Sequence, residues 1–123
     1  MSKEPEQSGR EDNFIEAAKV SDLPDASMIG VTVTGKQILI SRMGNKYYAI
    51  DAICSHYFGY LPKGKLKDNR VVCPVHKAEY DLDTGKVVKD VPALLRLATG
   101  GRRATDLKTY EVKVVGDSIQ VRT

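Results

Sequence analysis

Four side chains able to ligate a soft metal stand in two short clusters, Cys54-Ser55-His56 and Cys73-Pro74-Val75-His76, with sixteen residues between them. The 123-residue chain has two cysteines and two histidines in total, so every one of them is in these clusters. Thiolate sulfur and imidazole nitrogen are donors for zinc and for iron–sulfur centres, and each cluster offers one of each. Within a Cys-x-His or Cys-x-x-His pair the ligands are too close in sequence to share a helix face, so a turn must present each pair. One zinc could take all four donors in a tetrahedron, although structural zinc patterns usually place two cysteines in one knuckle and two histidines in another. A binuclear centre gives the mixing a purpose: Cys54 and Cys73 would hold one iron of a [2Fe-2S] cluster, and His56 and His76 the other. The readings without metal are a disulfide between Cys54 and Cys73, or inert core thiols with two ordinary surface histidines.

This arrangement closely resembles the Rieske family, whose two loops run Cys-x-His and Cys-x-x-His at a similar separation. The likeness extends to Gly64 between the loops, Val71-Val72 entering the second loop, Tyr80-Asp81 leaving it, Thr84-Gly85 at the next turn and Pro92. It covers the chain from about Phe14 to Val121 and is nearest to the small soluble Rieske-type ferredoxins. The resemblance implies one [2Fe-2S] cluster bound by Cys54, His56, Cys73 and His76. Two thiolates and two neutral imidazoles bring an oxidised core to zero net charge, where four thiolates would leave it a dianion, so the histidines raise the potential. It further implies that the two imidazoles expose their second nitrogen, coupling reduction to protonation. Tyr80 and Ala78 would border the cluster. The tyrosine keeps a phenol that in high-potential relatives donates to a cysteine sulfur, whereas Ala78 stands where those relatives carry a serine hydroxyl, and Val75 stands where they carry a disulfide cysteine. An intermediate potential follows, inside the Rieske range of roughly −150 to +300 mV. Lys77 departs from the glycine or small residue often found after the second histidine.

Composition bounds the rest. The length suits one domain, expected over 14–123 with a polar tail over 1–13 and a cluster-binding subdomain over 52–92. No apolar run approaches a membrane span and the polar start has no apolar core of a leader, so a soluble, cytoplasmic protein without a membrane anchor is expected. A net charge of +3 with a pI near 8.8 is too mild for nucleic-acid binding. Lys63, Lys65, Lys67, Arg70 and Lys77 nevertheless face a single acid, Asp68, within their stretch. They form either a solvated face or a basic rim that steers a redox partner acidic at its docking face. With no second metal set, dinucleotide fingerprint or nucleophile–base pair, the chain reads as an electron carrier without substrate chemistry of its own, served by a redox protein donor and acceptor. The alternatives are a small Rieske-like subunit of a larger oxidoreductase complex and a structural zinc module that binds other macromolecules.

The elements that must position the ligands read as strands. By pattern alone Phe14–Val20 fits a helical turn or an edge strand, and the resemblance favours the strand; Ser21–Asp25 reads as a turn or short helical start capped by Ser21. From Met28 the apolar period is two, with turns expected at Gly35-Lys36 and Gly44-Asn45, and the strand 46–51 delivers the chain to Cys54. Tyr57, Phe58, Tyr60 and Leu61 supply an apolar wall. A hairpin turning at Asp68-Asn69 leads into Cys73, a strand leaves over 78–82, and a turn at 83–85 starts a return strand that ends before Pro92. Residues 93–107 show apolar Leu94, Leu95 and Leu97 and a loop over 99–103, a connection longer than the small ferredoxins need. Alternation resumes at Tyr110, turns at Gly116-Asp117 and closes with Ile119 and Val121. The expected fold is all-β and antiparallel, a sandwich or partly closed barrel with the cluster-binding subdomain inserted.

Overall fold

The computed structural model describes residues 13–55, 59–75, 77–90, 92–98, 100 and 103–123. The expected polar tail, apart from Asn13, lies outside them.

Alternating apolar residues and two-residue turns build the larger of two antiparallel sheets. It contains β1 (Phe14–Lys19), β2 (Ser27–Val33), β3 (Lys36–Met43), β4 (Lys46–Asp51), β9 (Thr109–Val115) and β10 (Ser118–Arg122), in the order β1-β10-β9-β4-β3-β2. The two end strands β1 and β2 adjoin, so the sheet curls into a nearly closed barrel. Val33 pairs with Lys36, which puts the first turn at Thr34-Gly35 rather than one residue later. Both turn residues have positive φ, +49° and +81°, as a type I′ turn demands. Met43 pairs with Lys46 around Gly44-Asn45, and Val115 with Ser118 around Gly116-Asp117.

Residues 52–108 leave this barrel between β4 and β9. They form the second sheet from β5 (Lys65–Lys67), β6 (Arg70–Val72), β7 (Glu79–Asp81) and β8 (Val87–Lys89), in that order. The turn at Asp68-Asn69 falls where expected, with Asp68 at φ +55°.

Two apolar cores result. Ile38, Ile40, Ala49, Ile119 and Val121 fill the barrel with Leu23 and Tyr110. Leu39 and Ile50 point the other way, into a second core with Leu61, Val71, Tyr80, Leu82 and Leu107. β3 therefore reads as a continuous apolar run because both of its faces are covered. Burying each such Ile or Leu is worth about 1.5–3 kcal/mol.

Two local expectations are corrected. Ser21 does not cap a helix: Asp22 accepts from the Lys19 N–H at 3.1 Å at the start of the 3-10 turn Val20–Asp22, while Ser21 bonds through its N–H and hydroxyl to Asp117. Within 93–107, residues Ala93–Ala98 form a short helix, α1, directly after Pro92, with Leu94 and Leu97 exposed. Thr99, Gly101 and Arg102 of the loop expected beyond it lie outside the described residues.

Candidate metal centre

Both cysteines sit where the strands open into the ligand loops. After β4, Ile53 bridges Tyr60, the Cys54 N–H donates to the Gly59 carbonyl at 2.8 Å, and the Leu61 N–H donates to the Ala52 carbonyl at 2.8 Å. In the second loop the β6–β7 ladder runs on for one more rung, the Cys73 N–H donating to the Ala78 carbonyl at 2.8 Å, and the Lys77 N–H reaches back to the Cys73 carbonyl at 3.1 Å. Each ligand loop is thus held at its base by main-chain bonds.

The fold brings these two loops together. Cys54 and Cys73, nineteen residues apart, are buried thiols in the same core, each 1% exposed. Gly59 of the first loop lies against the second: a Cβ there would sit 2.7 Å from Cys73 Sγ and 2.8 Å from Val75 Cγ2. Only a residue without a side chain allows the loops to approach this closely. His56 and His76 lie outside the described residues, as do Tyr57 and Phe58 of the expected aromatic wall. Tyr60 packs on the shared core and Leu61 is fully buried in it.

Tyr80, on β7, is fully buried, and its Oη lies 3.0 Å from Cys54 Sγ and 2.9 Å from Ser55 Oγ. Burial foremost, then the Cys54 contact, pushes the phenol far above its ordinary value, so it keeps its proton as a donor. Ala78 is fully buried and has no polar side-chain atom to offer. Ser55 Oγ also donates to the Thr105 carbonyl at 2.7 Å and accepts from the Thr105 N–H at 2.8 Å. Ser55 and Thr105 are not apparent from the sequence, where they stand fifty residues apart.

Thr105 belongs to a strap that ties the first loop to the small sheet. The Ala104 N–H donates to Asp90 at 3.0 Å, the Val87 N–H to Asp106 at 2.9 Å, the Leu107 N–H to the Gly85 carbonyl at 2.8 Å, and the Lys108 N–H to Asp51 at 3.2 Å. Gly85 has φ +73°, and any Cβ there would collide with the Leu107 carbonyl oxygen.

The basic stretch divides. Glu79, 3% exposed, takes Arg70 at 3.1 Å and Lys67 at 3.7 Å. Lys63, Lys65 and Lys77 instead line a shallow cavity of about 100 Å³ with Pro74 and Cys73. Lys77 holds φ +70°, a conformation that suits glycine, and a glycine or small residue is what the resemblance leads one to expect there.

The donor chemistry fits a sulfide-bridged iron centre. Two soft sulfur donors share a dry core, and a phenol proton lies beside one of them. Among the described residues no group of three or more His, Cys, Asp or Glu suited to a metal ion occurs; two of the four expected donors are described.

Known proteins share this organisation. Residues 13–118 match the profile of the Rieske [2Fe-2S] domain. The chain is 34% identical over 102 residues to the ferredoxin component of the naphthalene 1,2-dioxygenase/salicylate 5-hydroxylase systems of a Ralstonia species, covering 83% of this chain and 88% of that one. It is 35% identical over 108 residues to the 3-phenylpropionate/cinnamic acid dioxygenase ferredoxin subunit of Shigella flexneri, covering 87% and 91%. Among solved structures, the ferredoxin of carbazole 1,9a-dioxygenase from Nocardioides aromaticivorans superposes with a TM-score of 0.76 at 25% identity, over 89% of this chain and 96% of that one. Each of these relatives is the ferredoxin of a dioxygenase system.

Proposed function

The chain belongs to the Rieske [2Fe-2S] domain family, a membership that implies a [2Fe-2S] cluster, and on that footing we propose that it is the ferredoxin component of a multicomponent oxygenase-type system. It takes one electron from a reductase and delivers it to an oxygenase. Cys54 and Cys73 would hold one iron, and His56 and His76 the other. The cluster supplies a one-electron couple near neutral net charge. The chain's own residues hold the two thiolates in a dry core, offer a phenol proton at Cys54 through Tyr80, and wall the site with the apolar Ala78. Residues 52–92 carry this site as a subdomain of one domain spanning 14–123.

The observation that carries the reading is the meeting of the loops, with both cysteines buried in one core and Gly59 against Cys73. The relatives favour a component of a larger system over a carrier that stands alone. The purified protein is expected to contain two irons and two acid-labile sulfides and to show, once reduced, the electron resonance of a mixed-ligand cluster. One zinc and no sulfide would replace this reading with the structural zinc module.

The partner docks at the cavity that Lys63, Lys65 and Lys77 line with Cys73, and it presents acidic groups there. Lys77 supports this, since it brings its charge to the rim at a backbone position that costs a side-chain-bearing residue about 1–2 kcal/mol. Reversing the three lysines to glutamate should slow reduction of the acceptor and invert its salt dependence, so that added salt speeds the variant where it slows the wild type, with the cluster content unchanged. Equal rates and salt slopes for both proteins would leave the lysines as a solvated face.

A further inference from the structure

A chain of polar contacts runs beneath the first ligand loop through Thr105 O, Ser55 Oγ, Tyr80 Oη and Cys54 Sγ, at successive separations of 2.7, 2.9 and 3.0 Å. Its protons can be counted. The Thr105 carbonyl only accepts, so the Ser55 hydroxyl spends its one proton there. One Ser55 lone pair is taken by the Thr105 N–H at 2.8 Å, and the other is left for the Tyr80 phenol. The phenol also has a single proton and two acceptors within reach, Ser55 Oγ and Cys54 Sγ.

We infer that Ser55, held by both main-chain polar groups of Thr105, is a positioning residue that draws the Tyr80 proton partly away from Cys54 and so keeps the reduction potential below what the tyrosine alone would set. The inference rests on the reading that Cys54 ligates the cluster. A hydrogen bond to a ligating sulfur withdraws electron density from it and favours the reduced state. A proton shared between two acceptors gives less to each, so an acceptor at Ser55 weakens that effect. Thr105 matters because it removes Ser55's freedom to turn its own proton toward the phenol. Were that proton to point at Tyr80 Oη, Ser55 would polarise the phenol and strengthen its bond to sulfur, the opposite outcome. The Thr105 segment is itself fixed on both sides, by Ala104 to Asp90 and by Asp106 to Val87. A stretch far from the ligands in sequence thereby sets the hydrogen bonding of one of them.

Voltammetry of the cluster-loaded protein at one pH tests this, with iron and sulfide measured in every preparation. Ser55→Ala and Ser55→Gly should raise the midpoint potential, changing the equilibrium constant for reduction by about threefold to tenfold, tenfold being about 59 mV for one electron. Ser55→Thr keeps the hydroxyl and should retain the wild-type value. In a Tyr80→Phe background, Ser55→Ala should leave the potential where it is, because no phenol proton remains to be shared. An unchanged or lower potential in Ser55→Ala, or a rise of the same size without the phenol, would overturn the inference. So would loss of the cluster from both Ser55→Ala and Ser55→Gly, which would make Ser55 a support of the loop. A wild-type protein lacking iron and sulfide would refute the ligand reading instead.

Discussion

The barrel and the small sheet are both antiparallel, yet they are held together by different means. Barrel strands run five to eight residues, with two-residue turns and a core of their own around Ile38, Ile40, Ile119 and Val121. Every strand of the small sheet has three residues, too few for a ladder to stand alone. Its core is borrowed in part from the barrel's outer face, through Leu39 and Ile50. Its turns are held by side chains, as where Asp81 accepts from the N–H groups of Asp83 and Thr84 at 2.8 and 2.9 Å. The region that carries the chemistry is therefore the one whose order depends most on tertiary contacts. A cofactor that joins its two loops adds its binding free energy to the order of that region.

The sharpest way to break this comparison is to remove a ligand. Cys73→Ser should abolish cluster binding, measured as iron and sulfide per chain. Hydrogen exchange should then show amide protection falling across 65–89 while 36–51 and 109–122 stay protected. Uniform loss of protection would mean that the two sheets fold as one unit.

Ile40→Ala attacks the other side, leaving a cavity in the barrel, and should cost about 2–5 kcal/mol by urea denaturation. Because the small sheet leans on the barrel, both regions should lose protection together. A smaller effect is expected from Gly59→Ala, whose methyl group would press on Cys73 Sγ and Val75. It should cost about 1–3 kcal/mol, with exchange rising only in the small sheet and the ligand loops.

The smallest effect concerns Tyr110, whose hydroxyl donates to Asp51 at 2.6 Å at the base of the first ligand loop. Burial and then the Asp51 hydrogen bond raise its phenol above the ordinary value of 10.0. The neutral phenol's contribution is intact below about pH 10, where the unfolded chain starts to ionise, and is lost as pH rises through the folded-state value. Tyr110→Phe should cost about 1 kcal/mol at neutral pH and make the alkaline decline in stability shallower. Parallel declines in urea titrations of the two proteins at pH 8 to 11 would count against this account.

Much of the architecture could be read from local signals. The hairpins at 44–45, 68–69 and 116–117 announce themselves because turn residues and period-two alternation act over a few residues. Ser21 misled for the same reason: a hydroxyl before a turn resembles a cap, but its partner, Asp117, lies 96 residues away. Helix α1 was not legible, since six residues after a proline are too short a run to show an amphipathic period, and Leu94 and Leu97 are exposed.

By itself the sequence determined most of the strands, the turns at 44–45, 68–69 and 116–117 and the pairing of donor types at 54–56 and 73–76, because those depend on neighbours along the chain, while the first hairpin turn fell one residue earlier than its glycine suggested. It could not determine that β9 would close on β4 through Ala49–Tyr110 and Ile50–Thr109, nor that Gly59 would lie on Cys73. Nor could it determine that Glu79 would claim Arg70 and Lys67 while Lys63, Lys65 and Lys77 line one cavity with Cys73. The hydrogen bonds from Thr105 to Ser55 and on to Tyr80 likewise join residues from three separate stretches. Contacts between such distant segments carry no local pattern, and only the packing of the two sheets against one core decides them.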